Sequence, residues 1–383
     1  MRSVKEADVK GRCVLVRVGF DVPLKNGKVA DDKRLRASLP TIEFLRKKNA
    51  KIILISHLGR PAGKVVEELR LAPVAKALSK LLKYPIQYEP DCIGSSVEER
   101  VRGMHDGDVL LLENLRFYPE EELNGKGFAQ KLASFADIYV NDAFSVCHRA
   151  HASVHAIAEF LPAYSGLSLE KEVNMLSNLL KNPKRPFIAI MGGAKVSDKI
   201  GVIENLLKKV DSILIGGAMM FTFYKALGYE IGKSKFESDK VQLAKALLKK
   251  GKKKILLPID VATEKGVFSA SKMKKGLAGL DIGPETQAIY SEIIKESKTV
   301  FWNGPMGMFE KKPFDKGTNA IAKAIANCKG ITVIGGGDSV AAIEKLKLEK
   351  KFSHVSTGGG ASLEFLEGKT LPGIQALDEN ILN

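Results

Sequence analysis

The sequence predicts an α/β protein of two domains, each a parallel β-sheet flanked by helices, joined by a hinge helix. Three observations carry this. Short apolar runs alternate with helix-like segments along almost the whole chain, the pattern of successive β-α-β units. At 383 residues the chain is long for a single core. Glycine- or arginine-bearing turns follow the apolar runs, where Rossmann-like sheets hold their ligands.

The first domain is expected over residues 1–165. Its apolar runs, taken as buried parallel strands, begin at Cys13, Ile52, Val109 and Ile138. They lead into Arg17 and Asp21, into His57 and Arg60, into Arg116, and into Asn141-Asp142 with His148, Arg149 and His151 beyond. Helical spacing is expected over 39–48, 72–82 and 128–135. A charged amphipathic stretch, Leu169 to Leu176, predicts a hinge helix over 166–181. The second domain is expected over 182–370, with apolar runs starting at Phe187, Ser212, Val300, Ile331 and His354. Four of these run into paired or triple glycines. Helices are expected over 200–210, 239–250, 285–296 and 318–327. The lysine run 249–254 reads as a helix end, with the lysines on the dipole and Gly251 past the last turn. Residues 371–383, which follow Leu371-Pro-Gly373, are expected to pack back onto the first domain.

Composition limits the function classes. The apolar fraction of 45% is that of an ordinary globular protein. No run of about eighteen apolar residues predicts a membrane span, and Met1 to Lys10 lacks an apolar signal core, so the cytoplasm is the expected compartment. Four scattered cysteines fit reduced thiols rather than a disulfide framework or zinc site. The formal charge of +16 favours anionic partners. The lysine run has no interleaved aromatics for base stacking. Small phosphates therefore fit better than nucleic acid.

The two halves differ in chemistry. Gly192-Gly193-Ala194 precedes Lys195 and Lys199, which are four apart and would share one face of a helix aimed at phosphates. The Walker pattern and the G-x-G-x-x-G fingerprint are both absent, which argues against an ordinary P-loop enzyme and a Rossmann-type dehydrogenase. In Val300–Glu310 the polar exceptions are Asn303 and Glu310, while Trp302 is expected to be structural. Asp338 and Ser339 open a helix after Gly335-Gly336-Gly337. They suit N-capping, and an acid beside phosphates also suits Mg²⁺. In the first half Arg34, His57, Arg60, Arg116, Arg149 and His151 fall at strand ends or a helix start. Arginine forks converging there would repel one another without an anion between them.

With these segments in place the sequence resembles the phosphoglycerate kinase family. The resemblance rests on Arg17-Val-Gly-Phe-Asp-Val-Pro23, Ser56-His-Leu-Gly-Arg-Pro61, Leu112-Glu-Asn-Leu-Arg-Phe117, His148-Arg-Ala-His151, Gly192-Gly-Ala-Lys-Val-Ser-Asp-Lys199, Gly279-Leu-Asp-Ile-Gly-Pro284, Trp302-Asn-Gly-Pro305, Gly335-Gly-Gly-Asp338 and Ser356-Thr-Gly-Gly-Gly-Ala-Ser362. It implies reversible phosphoryl transfer between ATP and the carboxylate of 3-phosphoglycerate, giving ADP and 1,3-bisphosphoglycerate, with Mg²⁺ bound alongside the nucleotide. It implies that Arg34, His57, Arg60, Arg116 and Arg149 hold the phosphoglycerate, with Gly19 and Asp21 at the family's further acid-binding positions. Gly193, Ala194, Lys199, Gly217, Gly279, Asn303, Pro305, Glu310, Gly336, Gly337, Asp338 and Ser339 would hold the nucleotide, Glu310 at the ribose and Asp338 toward the Mg²⁺. Arg34, Lys195 and the backbone around Gly359 would act on the transferring group. No membrane or nucleic-acid partner is expected, and the chain is expected to be a monomer with hinge-bending closure. One departure stands out: the family normally has Asp where Gly19 stands and Asn where Asp21 stands. In an extended segment positions 19 and 21 point the same way, so Asp21 is expected to take over the lost acceptor.

Overall fold

The computed structural model describes residues 1–382. The chain forms two compact units. One holds Met1–Asn174 and the residues from Thr370 onward, and the other holds Met175–Lys369.

The first unit is built on a six-stranded sheet whose pairs are all parallel. Its order is Gln87–Tyr88, Val109–Leu111, Lys51–Ile55, Cys13–Arg17, Ile138–Asn141 and Ala163–Ser165. The central strands are Val-, Ile- and Leu-rich and buried on both faces, as a helix-covered parallel sheet requires. Strand order reverses beside Cys13–Arg17, which opens a crevice at the carboxyl ends there.

The helix Ala72–Leu82 has the expected bounds. Helix Lys33–Lys47 starts six residues before the expected segment and carries Pro40 inside it. One proline costs one backbone bond, and the turn before it is secured by Arg36, which donates twice to the Asp32 carboxylate at 2.8 Å. A two-residue hairpin, Leu24–Lys25 with Lys28–Val29, was not expected from the sequence. Its turn residues Asn26 and Gly27 have φ of 51° and 67°, the geometry that Asn-Gly favours.

The segment after Leu371 belongs to this unit. Gly373 N–H donates to the Cys147 carbonyl at 2.9 Å, and the Asn380 amide donates to Ala158 and Leu161. Asn383, the end of the expected segment 371–383, lies outside the described residues.

The second unit has its own six-stranded parallel sheet, in the order Ile255–Leu256, Ser212–Ile215, Phe187–Met191, Thr299–Asn303, Ile331–Gly335 and His354–Val355. The order reverses between Phe187–Met191 and Thr299–Asn303. A three-stranded antiparallel sheet, Gly266–Ser269, Asp260–Thr263 and Gly279–Ile282, adds to it; only parallel sheets were expected. The helix Val241–Gly251 ends on Gly251 itself, and Lys252 takes the positive φ of 47°. Gly251 serves packing instead, since a Cβ there would sit 2.7 Å from the Ile255 side chain. Helix Leu167–Lys181 runs from the first unit into the second. Its first turn is capped by the buried Asp142, whose Oδ1 accepts the Ser168 and Leu169 amides at 2.8 and 3.3 Å.

Candidate functional site

The strand Cys13–Arg17 ends in a fully buried arginine. Arg17 Nε donates to Ser153 Oγ at 2.9 Å, and Nη2 lies 2.8 Å from His57 Nδ1. Ser153 in turn donates to the buried Glu121 carboxylate through its amide (2.9 Å) and hydroxyl (2.6 Å). Burial holds the Arg17 guanidinium below its usual value, with Glu121 as the chief opposing charge. Because a guanidinium only donates, His57 Nδ1 accepts and its Nε2 carries the proton. Burial first, then Arg17 and Arg116, lower His57 to about 3 despite its contact with Asp21. His57 is therefore a neutral donor at working pH, with Nε2 3.7 Å from Asp21 Oδ2.

Asp21 accepts the Gly59 amide at 2.9 Å, and its carbonyl accepts Arg34 Nη1 at 2.7 Å. Burial pushes this carboxyl up, but His57, Gly59 and Arg34 together hold it well below the usual carboxylate range. A cavity of about 350 Å³ beside it is lined by Asp21, Val22, Pro23, Asp31, Lys33 and Arg34. Arg116, on the turn Leu115–Phe117, donates Nη1 to the Gly59 carbonyl at 2.8 Å, and its Nε stands 3.2 Å from Glu122. Burial, followed by the charges of Arg116, Arg17 and Arg149, lowers His151 to about 3. Arg149 Nε lies 3.3 Å from His148 Nε2.

So Arg17, His57, Arg116, Arg149 and His151 form one cationic cluster, with Arg34 attached through Asp21. Arg60 is on the adjoining loop, exposed and without a partner among the described residues. Positions 19 and 21 do not point the same way, contrary to the extended-segment expectation. A Cβ on Gly19 would face Ser145 Oγ at 3.4 Å and Ala143 at 4.0 Å, whereas Asp21 reaches Gly59. The strand has ended at Arg17, so strict alternation no longer applies.

In the second unit the loops after three adjacent strands interlock. Gly192 and Gly193 donate to the carbonyls of Asn303 (2.9 Å) and Pro305 (2.8 Å), and Gly217 donates to Met306 (2.9 Å). Gly217 and Gly304 have φ of 65° and 93°, and a Cβ on either would lie 2.4 Å or less from the facing loop's backbone. The next loop is latched by Ser339, whose buried hydroxyl accepts the Gly304 amide at 2.6 Å. Trp302 is fully buried and donates Nε1 to the Gly304 carbonyl at 2.8 Å.

The expected helix face shared by Lys195 and Lys199 does not form. Lys195 and Ala194 lie on an exposed loop, Ser197–Lys199 is a 3₁₀ turn, and the α-helix starts only at Ile200. The amides of Val196 and Ser197, which would otherwise face outward, are taken by the Glu237 carboxylate. Lys199 is turned inward, buried, with Nζ on Asn303 Oδ1. Burial lowers Lys199 to about 8, opposed by Asp198 and Asp338. The buried Asn303 Nδ2 has no partner. It faces Gly336, which has φ of 91° and precedes the helix Gly337–Lys345. The first amides of that helix, Gly337 to Ser339, have no helical acceptor.

Asp338 and Glu310 are exposed. Gly279 is on the strand Gly279–Ile282, its amide held by Ser234 Oγ at 2.9 Å. Gly359, with φ of 54°, precedes the helix Gly360–Leu366. Lys199, Asn303, Pro305, Gly193, Gly217, Gly336 and Ser339 are thus gathered by direct contacts, with Asp338 near Lys199. Gly279, Glu310 and Gly359 stand on separate segments of the same unit.

Sequence reasoning missed the roles of Arg17, Asn114 and Glu237. Asn114 Oδ1 accepts the Leu58 and Arg116 amides, and its Nδ2 donates to the Leu58 carbonyl, which stitches the loops bearing His57 and Arg116 together. An Asn just before the Arg116 turn was a visible cap signal. No local signal marks Glu237.

Residues 4–369 match the family profile described as phosphoglycerate kinase. A phosphoglycerate kinase of Dictyoglomus turgidum is 54% identical over 391 residues, covering 98% of each chain. Among solved structures, phosphoglycerate kinase from Coxiella burnetii matches with a TM-score of 0.90 and 38% identity, over 98% of both chains. The enzyme from Pyrococcus horikoshii OT3 matches with a TM-score of 0.87 and 33% identity, over 99% of this chain and 98% of that one.

Proposed function

This chain belongs to the phosphoglycerate kinase family, phosphotransferases with a carboxyl acceptor, and we propose that it moves a phosphoryl group reversibly between ATP and the carboxylate of 3-phosphoglycerate. The products are ADP and 1,3-bisphosphoglycerate. The acid substrate binds the cationic cluster of the first unit through Arg34, Arg60, Arg116, Arg149 and the His57 Nε2–H, with Asp21 as an acceptor and Gly19 lining the site. The observation that carries this reading is the cluster itself: buried arginines beside two histidines held neutral, an arrangement that calls for an anion to balance it.

The nucleotide binds the interlocked loops of the second unit. Gly193, Ala194, Gly217, Gly279 and Pro305 approach it with backbone, Lys199 and Asn303 meet its phosphates, Glu310 meets the ribose, and the amides of Gly336 to Ser339 take a phosphate. The acceptor carboxylate is already ionised at neutral pH, so the reaction needs no general base. Its demands are positioning and charge neutralisation. Lys195, exposed and unpartnered among the described residues, follows the moving charge, together with Arg34 and the amides around Gly359.

Among the described residues no group of three His, Cys, Asp or Glu side chains forms a metal cage. A lone exposed Asp338 suits Mg²⁺ held chiefly by nucleotide phosphates and water. That ion would neutralise phosphate charge. Domain 1–165 with 371–383, hinge 166–181 and domain 182–370 would close to bring the substrates together and exclude water. The proposal places a monomer in the cytoplasm, where its four free cysteines stay reduced. No helix among the described residues is long and apolar enough to cross a membrane.

A coupled assay of ATP consumption tests the function. Consumption that depends on 3-phosphoglycerate is expected, and consumption indifferent to it would refute the proposal. In thermal melting, ATP with 3-phosphoglycerate should shift the transition while duplex DNA should not.

A further inference from the structure

Glu237 lies outside the strands and helices that bear the expected nucleotide ligands. Its carboxylate nonetheless takes three hydrogen bonds from one two-residue stretch. Oε2 accepts the amides of Val196 (2.5 Å) and Ser197 (3.1 Å), and Oε1 accepts the Ser197 hydroxyl (2.5 Å). Its own amide donates at 3.1 Å to Thr222 Oγ1, a fully buried hydroxyl on the helix Met219–Ala226. Glu237 thereby ties the turn after strand Phe187–Met191 to the helix after strand Ser212–Ile215.

The turn it holds separates two lysines with opposite environments. Lys195, on one side, is exposed. Lys199, on the other, is buried against Asn303. Between them Val196 is fully buried, so the stretch has an apolar anchor beneath and an anionic clamp above. Hydrogen bonds to a carboxylate are roughly twice as strong as neutral ones, and three on adjacent donors leave that backbone little freedom. Without the clamp, two amides and a hydroxyl would converge on open space, and the loop bearing Lys195 would lose its fixed exit.

Resting on the function proposed above, we propose that Glu237 is a positioning residue for phosphoryl transfer. It touches no reacting atom. It fixes the Val196–Ser197 turn so that Lys195 projects outward and Lys199 inward. Misplacing a catalytic group by about 1 Å costs on the order of 100-fold in rate, so the role is visible in turnover.

The test compares the parent, Glu237→Gln and Glu237→Ala in the coupled assay, with and without added sodium acetate at constant ionic strength. Gln keeps the length and one acceptor oxygen but loses the charge. Expected kcat falls in the order parent, Glu237→Gln, Glu237→Ala, with Glu237→Ala about 10- to 100-fold below the parent. The KM for 3-phosphoglycerate should stay unchanged. Acetate supplies the missing carboxylate and should raise kcat of Glu237→Ala saturably, with no effect on the parent. A merely structural role would lower the melting temperature without acetate rescue.

Glu237→Ala with parental kcat, or with a loss that acetate does not relieve, overturns the proposal. Should Glu237→Ala fail to fold, Glu237→Gln with parental kcat overturns it. A parent lacking 3-phosphoglycerate-dependent turnover would remove the function and this role together. An active parent with an unaffected Glu237→Ala would remove only the role.

Discussion

Lys199 makes nucleotide use pH-dependent in a calculable way. Burial takes this ammonium from the ordinary 10.5 to about 8. That corresponds to roughly 3 kcal/mol against the charged form. Phosphate binding needs the charge. In kcat/KM for ATP, measured at saturating 3-phosphoglycerate, the nucleotide-free form of the enzyme sets the profile. The value should lie near its plateau at pH 7, drop to about half by pH 8 and approach a tenfold fall per pH unit above pH 9, because about nine tenths of Lys199 would be neutral by then. Lys199→Arg keeps its charge throughout and should lose the alkaline limb, at whatever absolute rate its larger head permits. Folding stability runs the other way. Between about pH 8 and 10.5 the unfolded chain still holds the proton that folded Lys199 has released, so stability of the ligand-free protein should rise with pH across that window. The assay is a coupled spectrophotometric titration of ATP from pH 6.5 to 9.5. A flat parental profile, or one whose alkaline limb survives in Lys199→Arg, would refute the reasoning.

Other outcomes follow from the same geometry. Lys195→Ala should lower kcat far more than it raises the KM for ATP, because its ammonium is proposed to follow charge that moves; unchanged kcat with a raised KM would contradict this. Asp21→Ala should raise the KM for 3-phosphoglycerate and leave that for ATP nearly unchanged, since Asp21 holds Gly59 and neighbours His57 and Arg34. The double change Gly19→Asp with Asp21→Asn should not restore affinity, because a side chain at 19 faces Ala143 and Ser145 rather than Gly59; if Asp21→Ala is silent in both constants, Asp21 has no such role. Burial raises Asp142 to about 7 against hydrogen bonds from Ser168 and Leu169. Its contribution is therefore fullest below its unfolded value near 4 and is lost as pH climbs to 7. The melting temperature of Asp142→Asn relative to the parent should rise between pH 5 and 8, and a constant difference would count against the assignment.

The strands were legible because a buried parallel strand is a continuous apolar run, and Cys13–Arg17, Lys51–Ile55 and Phe187–Met191 are such runs. Ala72–Leu82 was legible from its apolar spacing. Of Lys33–Lys47 only the part from Leu39 onward was expected; Pro40 lies inside the helix, and the Asp32–Arg36 contact that secures its first turn exists only once that turn has formed. The antiparallel sheet around Asp260–Thr263 was missed: its edge strand Gly266–Ser269 is exposed and carries no apolar run. The hairpin at Asn26-Gly27 did carry a readable turn signal.

The candidate site shows the same division. Strand-end arginines announce themselves by position, whereas Arg17 with Ser153, or Glu237 with Val196, pair residues far apart in sequence. Such bonds exist only once the loops have been brought together. Lys195 and Lys199 show the limit of periodicity, because the turn between them is a 3₁₀ turn held by a carboxylate some forty residues away.

Calorimetric titration of each ligand separately into Arg116→Ala and Lys199→Met tests most directly the division between an acid-binding unit and a nucleotide-binding unit. Arg116→Ala should lose 3-phosphoglycerate affinity while binding ADP like the parent. Lys199→Met should lose ADP affinity while binding 3-phosphoglycerate like the parent. Loss of ADP binding in Arg116→Ala with 3-phosphoglycerate binding intact, or the reverse in Lys199→Met, would contradict the account.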